Sequence, residues 1–193
     1  MNDRSVIREW LFKGLSIEDL LDSLEADGLA VRAENDPGVV QRVMPLEDFS
    51  VEIRRAALQA LPAYLAFFCL ENAVRELVVE RMTEAKGADW WATGASTDLR
   101  NKVESRQQKE GTNRWHIRRG AQEIYYTDFG DLTTIIRNNW AVFEDLFPDQ
   151  NWITNRLAEL EASRNIIAHS NTLDERELTR VRMYLQDWTR QVG

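Results

Sequence analysis

Apolar residues recur along most of this chain at the three- and four-residue spacing of an amphipathic helix. Val6, Trp10 and Leu11 give a first helix within residues 4–13. Ser16 then stands as an N-cap before Ile17-Glu18-Asp19, and a second helix runs through Leu20, Leu21 and Leu24 to a stop near Gly28. Two short apolar runs, 30–34 and 39–43, flank Asn35-Asp36-Pro37-Gly38 and read as a small hairpin. From Ser50 the pattern lengthens. Residues 51–61 are helical, and Pro62 either kinks that helix or opens the next one. Over 63–86, Tyr64, Phe67, Phe68, Val74, Leu77, Val78 and Met82 share one side, before Gly87-Ala88-Asp89 ends the run. After Trp90-Trp91 and a small-residue loop (94–97), a polar helix is predicted from Asp98 to Glu110. Ile124-Tyr125-Tyr126 is short and reads as extended. Asp128 caps a helix with Leu132, Ile135, Ile136, Trp140 and Phe143 inward, closed by Pro148. Asn151 can cap a helix reaching His169, and Thr172-Leu173-Asp174-Glu175 matches a capping box for a last helix to about Arg190.

The pattern predicts an all-α fold, a bundle of four to five main helices over residues 50–193, with a small helical and hairpin extension at residues 1–49. Two helices and a hairpin raise the thought of a winged helix reading DNA. The second helix would be the reader, yet it carries Glu18, Asp19, Asp22 and Glu25 and no base. An acidic helix is repelled by phosphates, so residues 1–49 are read as an accessory or interaction segment.

Composition narrows the classes. The 193 residues are 44% hydrophobic and include seven tryptophans, enough for one sizeable core, and 29% charged, which argues against disorder. No apolar run approaches bilayer-spanning length, since the longest, Leu61 to Leu70, contains Pro62; a membrane partner is not expected. Met1-Asn2-Asp3-Arg4 lacks the basic start and apolar stretch of a secretory signal. The single cysteine, Cys69, excludes an internal disulfide, points to a cytoplasmic setting, and by its apolar neighbours reads as a buried structural thiol. One cysteine and two distant histidines are too few ligands for a zinc site, and no cofactor or metal is expected. Neither a nucleophile elbow nor a glycine-rich phosphate loop is present. Net charge is −8, which opposes non-specific binding to a polyanion. Residues 100–119, however, hold seven basic side chains against two acidic ones. Within that segment Arg114, Trp115, His116, Arg118 and Arg119 could hold phosphates and stack a base, or form an ordinary solvated face.

The helix 152–169 carries the chemistry. At about 100° per residue, Ile153, Leu157, Leu160 and Ile167 form one stripe and Arg164 sits in its middle. A guanidinium there either pairs with a carboxylate inside the bundle, such as Glu71 or Asp131, or faces a cleft or subunit interface. Asn165 and His169 are one turn apart on one face, so the amide could orient the imidazole. A structural reading stands beside this, because a histidine at a helix C-terminus is favoured by the helix dipole. Glu71 and Arg75 are likewise an ordinary i, i+4 pair, though either could line a groove.

The string Arg164-Asn165-Ile166-Ile167-Ala168-His169 resembles the R-N-x-x-x-H signature of HEPN domains, a helical nucleotide-binding family. Leu70-Glu71-Asn72-x-x-Arg75, Trp90-Trp91, Asp128-Phe129-Gly130-Asp131-Leu132 and Asn139-Trp140 resemble one branch of it, appended to an mRNA quality-control endonuclease and found in many prokaryotic proteins. The resemblance covers roughly residues 62–190. It implies a bundle that dimerises through the motif helices and, in active members, a metal-independent endoribonuclease. By that likeness His169 would be the general base on the ribose 2′-OH, Arg164 would stabilise the phosphorane, and Asn165 would orient the site. The product would be a 2′,3′-cyclic phosphate. Two functions follow: a homodimeric ribonuclease acting on RNA, as a toxin or defence effector with an inhibitor or regulatory protein, or a non-catalytic module that binds a partner protein.

Overall fold

The computed structural model describes residue 46 and residues 48–113 and 115–192. The helices and hairpin expected within residues 1–49 lie outside the described residues. Among those that are described the fold is all helical, and residues Arg55–Gly193 group into one compact unit.

Helix α1, Val51–Lys86, is the spine. Ser50 Oγ accepts from the Ile53 N–H at 3.3 Å, and Glu52 lies in the first turn, where the helix dipole favours it. Pro62 neither breaks the helix nor starts a new one. The carbonyl it strips of a partner is four residues back at Leu58, on an exposed face open to solvent. α1 ends where Gly87 takes φ 84° and returns its N–H to Thr83 O at 2.8 Å, a left-handed cap that glycine adopts at no steric cost. Because Pro62 is passed, α1 contains a stretch of mean hydropathy 1.3, 28% buried, that by length and composition alone could cross a bilayer; the apolar run is longer than the sequence pattern suggests. α1 buries Ala63, Phe67, Leu70, Val74, Val78 and Met82 in the bundle, whereas Leu58, Leu61 and Leu65 of the apolar stretch stay exposed. Helical phase turns Tyr64 and Phe68 outward instead, and Cys69 is exposed rather than a buried structural thiol.

A short helix α2, Trp90–Gly94, sets Trp90 in the core edge-on to Trp91. Helix α3, Thr97–Thr112, is capped by Ser96 and buries only Leu99 and Val103. Ile124-Tyr125-Tyr126, expected to be extended, lies in a 3-10 turn, Glu123–Tyr126. Thr127 Oγ1 and N–H both donate to Ile124 O, at 2.7 and 3.2 Å, which closes the turn locally. Helix α4, Phe129–Asn138, opens on a reciprocal capping box between Asp128 and Asp131. It stops ten residues before Pro148 because the Asn139 amide donates to Ile135 O and Gly94 O, both at 2.9 Å, while Lys86 Nζ holds its oxygen at 2.7 Å. Trp140–Val142 then forms a second 3-10 turn and places Phe143 in the core.

Helix α5, Gln150–Ala168, is capped by Asp149, not Asn151. Helix α6, Glu175–Val192, is capped by Asp174, whose carboxylate accepts from the Glu177 N–H at 2.8 Å. α4 lies along α5. The core is the meeting of three stripes: Phe67, Leu70, Val74 and Val78 of α1, Leu132, Ile135 and Ile136 of α4, and Ile153, Leu157 and Leu160 of α5. Full burial of each such side chain contributes about 1.5–3 kcal/mol.

Candidate functional site

Two of those stripes carry one charge each, of opposite sign. Glu71 follows Leu70 on the inner face of α1 and is only 8% exposed; Arg164 interrupts the α5 stripe. Glu71 Oε2 meets Arg164 Nε at 3.3 Å, and its other oxygen pairs with Arg75 one turn further along α1. Of the two carboxylates open to Arg164 on sequence grounds, Glu71 is therefore the partner. Asp131 is committed elsewhere, within hydrogen-bond reach of Lys102 and Arg106. Both terminal nitrogens of Arg75 are engaged, donating also to Asn72 Oδ1 at 3.2 Å and Thr127 O at 3.1 Å. Its Nε is buried with no hydrogen-bond partner, a local cost of about 1–3 kcal/mol.

Beside this ion-pair chain opens a cleft of 480 Å³. Tyr64, Phe67 and Phe68 of α1 form one wall, Arg164, Ile167 and Ala168 of α5 another, and Arg119 and Tyr125 a third, with Glu71, Asn72 and Arg75 beneath. Its size suits a small ligand or one nucleotide.

His169 does not line the cleft. It is the C-cap of α5, its side chain exposed, and its backbone N–H donates to Asn165 O at 3.1 Å. The helix stops there in a Schellman turn: Ser170 N–H returns to Ile167 O at 3.0 Å and Asn171 N–H to Ile166 O at 3.1 Å. Ser170 takes φ 60°, the one non-glycine residue with positive φ among the described residues. A left-handed serine costs roughly 1–2 kcal/mol. Asn171 Nδ2 donates to the His169 carbonyl at 3.0 Å, so the backbone that presents the imidazole is pinned from both sides. The Asn165 amide oxygen accepts from Arg164 Nη1 at 3.4 Å; among the described contacts it meets the guanidinium and not the imidazole.

The basic segment is largely consumed by the fold. Lys102 Nζ binds Asp131 at 2.7 Å and Asp128 at 3.1 Å, and Arg106 binds Asp128 at 3.0 Å. Burial would push the Asp128 carboxyl up, but Arg106 and Lys102 outweigh it and hold that carboxyl far below the usual aspartate range. Burial works against the Lys102 ammonium too, and again loses, to Asp131 and Asp128, so its pKa is raised. Arg100 donates to Ala92 O, and Arg119 Nε meets Glu110 at 2.6 Å. Of the four described residues that the sequence marks for RNA, Arg119 reaches the cleft and Trp115, His116 and Arg118 do not line it. Trp115 is 82% exposed and stacks on His116 at 3.9 Å, Arg118 is exposed, and Arg114 lies outside the described residues.

The cleft aromatics are what sequence reasoning misses. Tyr64 and Phe68 sit at the margin of an apolar stripe and are indistinguishable there from core positions. Tyr125 carries no signal except its neighbour Gly120, where a Cβ would come within 2.6 Å of the Tyr125 ring. Among the described residues no group of three His, Cys, Asp or Glu side chains is placed to hold a metal ion. A family model described as Swt1-like HEPN matches residues 65–193. No curated protein and no solved structure matches the chain.

Proposed function

The chain belongs to the Swt1-like HEPN family, and on that premise we propose that it is a metal-independent endoribonuclease in which Arg164 and His169 act on RNA. The observation that carries this is Arg164: a guanidinium in an apolar stripe, held by buried Glu71 at the edge of a cleft, on the helix that ends in an exposed histidine. In this reaction the His169 imidazole takes the proton from a ribose 2′-OH. The freed oxygen attacks the adjacent phosphorus, and Arg164 faces the charge that builds on the non-bridging oxygens. The 5′-oxygen leaves with a proton, giving a 2′,3′-cyclic phosphate and a 5′-OH. DNA, lacking the 2′-OH, is not cut.

Within one chain the two residues stand about 140° apart and roughly 7.5 Å apart along the helix axis. A symmetric pairing of α5 with a second copy would bring two Arg164/His169 sets to one groove. Ile166, apolar and exposed between them, suits such a contact. A toxin or defence effector cutting cellular RNA in the cytoplasm, restrained by an inhibitor protein, is the biological setting this chemistry fits.

One observation favours the alternative, a non-catalytic module that binds a partner protein. Arg164 is already paired with Glu71, and His169 lies outside the cleft. A labelled panel of tRNA and mRNA in EDTA decides, with wild type beside Arg164→Ala and His169→Ala. Cutting that survives chelation, leaves cyclic phosphate and vanishes in both variants supports the ribonuclease. No cutting by a folded dimer refutes it. His169→Ala removes an exposed side chain, so its stability should stay within about 0.5 kcal/mol of wild type, and any lost activity would be chemical.

A further inference from the structure

The cleft does not end at Arg164. A second cavity of 510 Å³ adjoins it along α1, and the two share Phe68, Asn72, Arg75 and Tyr125. Asn72 and Arg75 belong to the floor and are tied up in internal hydrogen bonds. The divider is therefore the pair of rings, Phe68 at 58% exposed and Tyr125 at 41%. Both rings border the two cavities and are partly open to solvent, beside a cleft that carries three arginines.

Tyr125 is also held in place. Its ring lies against the backbone of Gly120, where an added Cβ would come within 2.6 Å of Cδ2 and 2.9 Å of Cγ. Only glycine lets the chain approach that closely, so one side of the ring is backed by the main chain. Phe68 is flanked by Tyr64, ring centroids 6.3 Å apart.

The charges on the two sides differ. The first cavity holds Arg164 and Arg119, the latter half exposed with its Nε on Glu110, and the carboxylate of Glu71; Arg75 lies between the two cavities. The second is lined by Glu76 and Glu80, with Gln122. A phosphate is attracted to the first and repelled by the second, whereas the amino edge of a base is accepted by carboxylates.

We infer that Phe68 and Tyr125 form a stacking wedge for single-stranded RNA. One base lies on Tyr125 in the second cavity, Phe68 separates it from its neighbour, and the phosphate between them rests on the Arg119 and Arg164 side. The inference rests on the reading of RNA as ligand and deepens it by assigning the base subsite. Duplex RNA is excluded, because paired bases cannot splay onto the rings.

The test uses the full chain and single-stranded 2′-O-methyl oligoribonucleotides, which cannot be cut, with binding read by fluorescence anisotropy. Stacking is lost in Tyr125→Ala and in Phe68→Ala, so each should bind roughly 5- to 100-fold more weakly. Tyr125→Trp should retain binding, and Gly120→Ala, which displaces the ring, should weaken it. An abasic site walked along the oligonucleotide should, at one position, reproduce the loss in wild type and add nothing in Tyr125→Ala. A merely structural ring would not show that non-additivity. Additive losses, or unchanged affinity in folded Phe68→Ala and Tyr125→Ala, overturn the inference, as does a wild type that binds no RNA. A change of oligomeric state without a change in RNA affinity also overturns it and makes the rings a protein contact. Binding that depends on Tyr125 without any cutting leaves the wedge standing and removes the ribonuclease reading instead.

Discussion

Glu71→Gln removes the one anion between two guanidinium groups while keeping the side chain's shape. The two ion pairs it breaks are unequal. Glu71 and Arg75 have side chains 10% and 13% exposed, whereas Arg164 is 34% exposed. Loss of a nearly buried partner costs about 3 kcal/mol, and loss of the pair open to solvent less than about 1 kcal/mol. The neutral amide can still accept a hydrogen bond, so the total should be about 3 kcal/mol. For the unit Arg55–Gly193 that lowers Tm by roughly 10 °C. Arg164→Gln leaves Glu71 with Arg75 and should lower Tm by only about 3 °C. Thermal unfolding followed by circular dichroism reads both, and the double variants give the coupling energies. The expected order is a Glu71–Arg75 coupling well above that of Glu71–Arg164. Equal costs, or a larger coupling to Arg164, would refute the view that Arg164 is held loosely enough to exchange its carboxylate for a phosphate.

Three further outcomes are expected. Asp128→Asn keeps a capping side chain but loses the charge between Lys102 and Arg106. Since the folded carboxyl lies well below its unfolded value near about 3.9, its contribution is fully present above that pH and fades as pH falls through the folded pKa. The stability gap between wild type and Asp128→Asn should thus be constant from about pH 7 to 5 and shrink below about pH 4, as read by urea titration. Ser170→Gly relieves the left-handed serine and should stabilise by about 1 kcal/mol, seen as a higher urea midpoint with an unchanged slope. If RNA binds, log K against log salt should have a slope of roughly −1 to −2, because few cations remain for phosphate; all seven bases of residues 100–119 would give about −5.

The helical class, the family and the Arg164 helix are legible in the sequence because each rests on local period or a short string. Asp128 as a cap is legible for the same reason, since a cap is decided within four residues. Pro62 misleads because its effect depends on whether the orphaned carbonyl faces water, which only the packed helix decides. Ile124–Tyr126 misleads because apolar aromatic triplets serve strands and turns alike, and the Thr127 hydroxyl settles the matter. Arg164 shows the limit most clearly. Its position in a stripe reveals that a partner or cleft must exist, but both are present, and Glu71 is 93 residues away.

The same separation governs the basic segment. Charge counted along residues 100–119 suggests a phosphate-binding face, yet Lys102 and Arg106 serve as struts that clamp α3 to the start of α4 through Asp128 and Asp131. Such cations are fixed by two carboxylates, of which Asp128 has its pKa held down, and a phosphate would have to displace both anions to reach them. Arg119 and Arg164 differ. Each keeps a single carboxylate partner, each remains at least a third exposed, and both line one cleft. On a chain of net charge −8, long-range attraction cannot collect RNA, so recognition falls to contacts made inside that cleft. Two exchangeable guanidinium groups set against two open rings supply both parts of such a contact, charge for the phosphate and a face for the base.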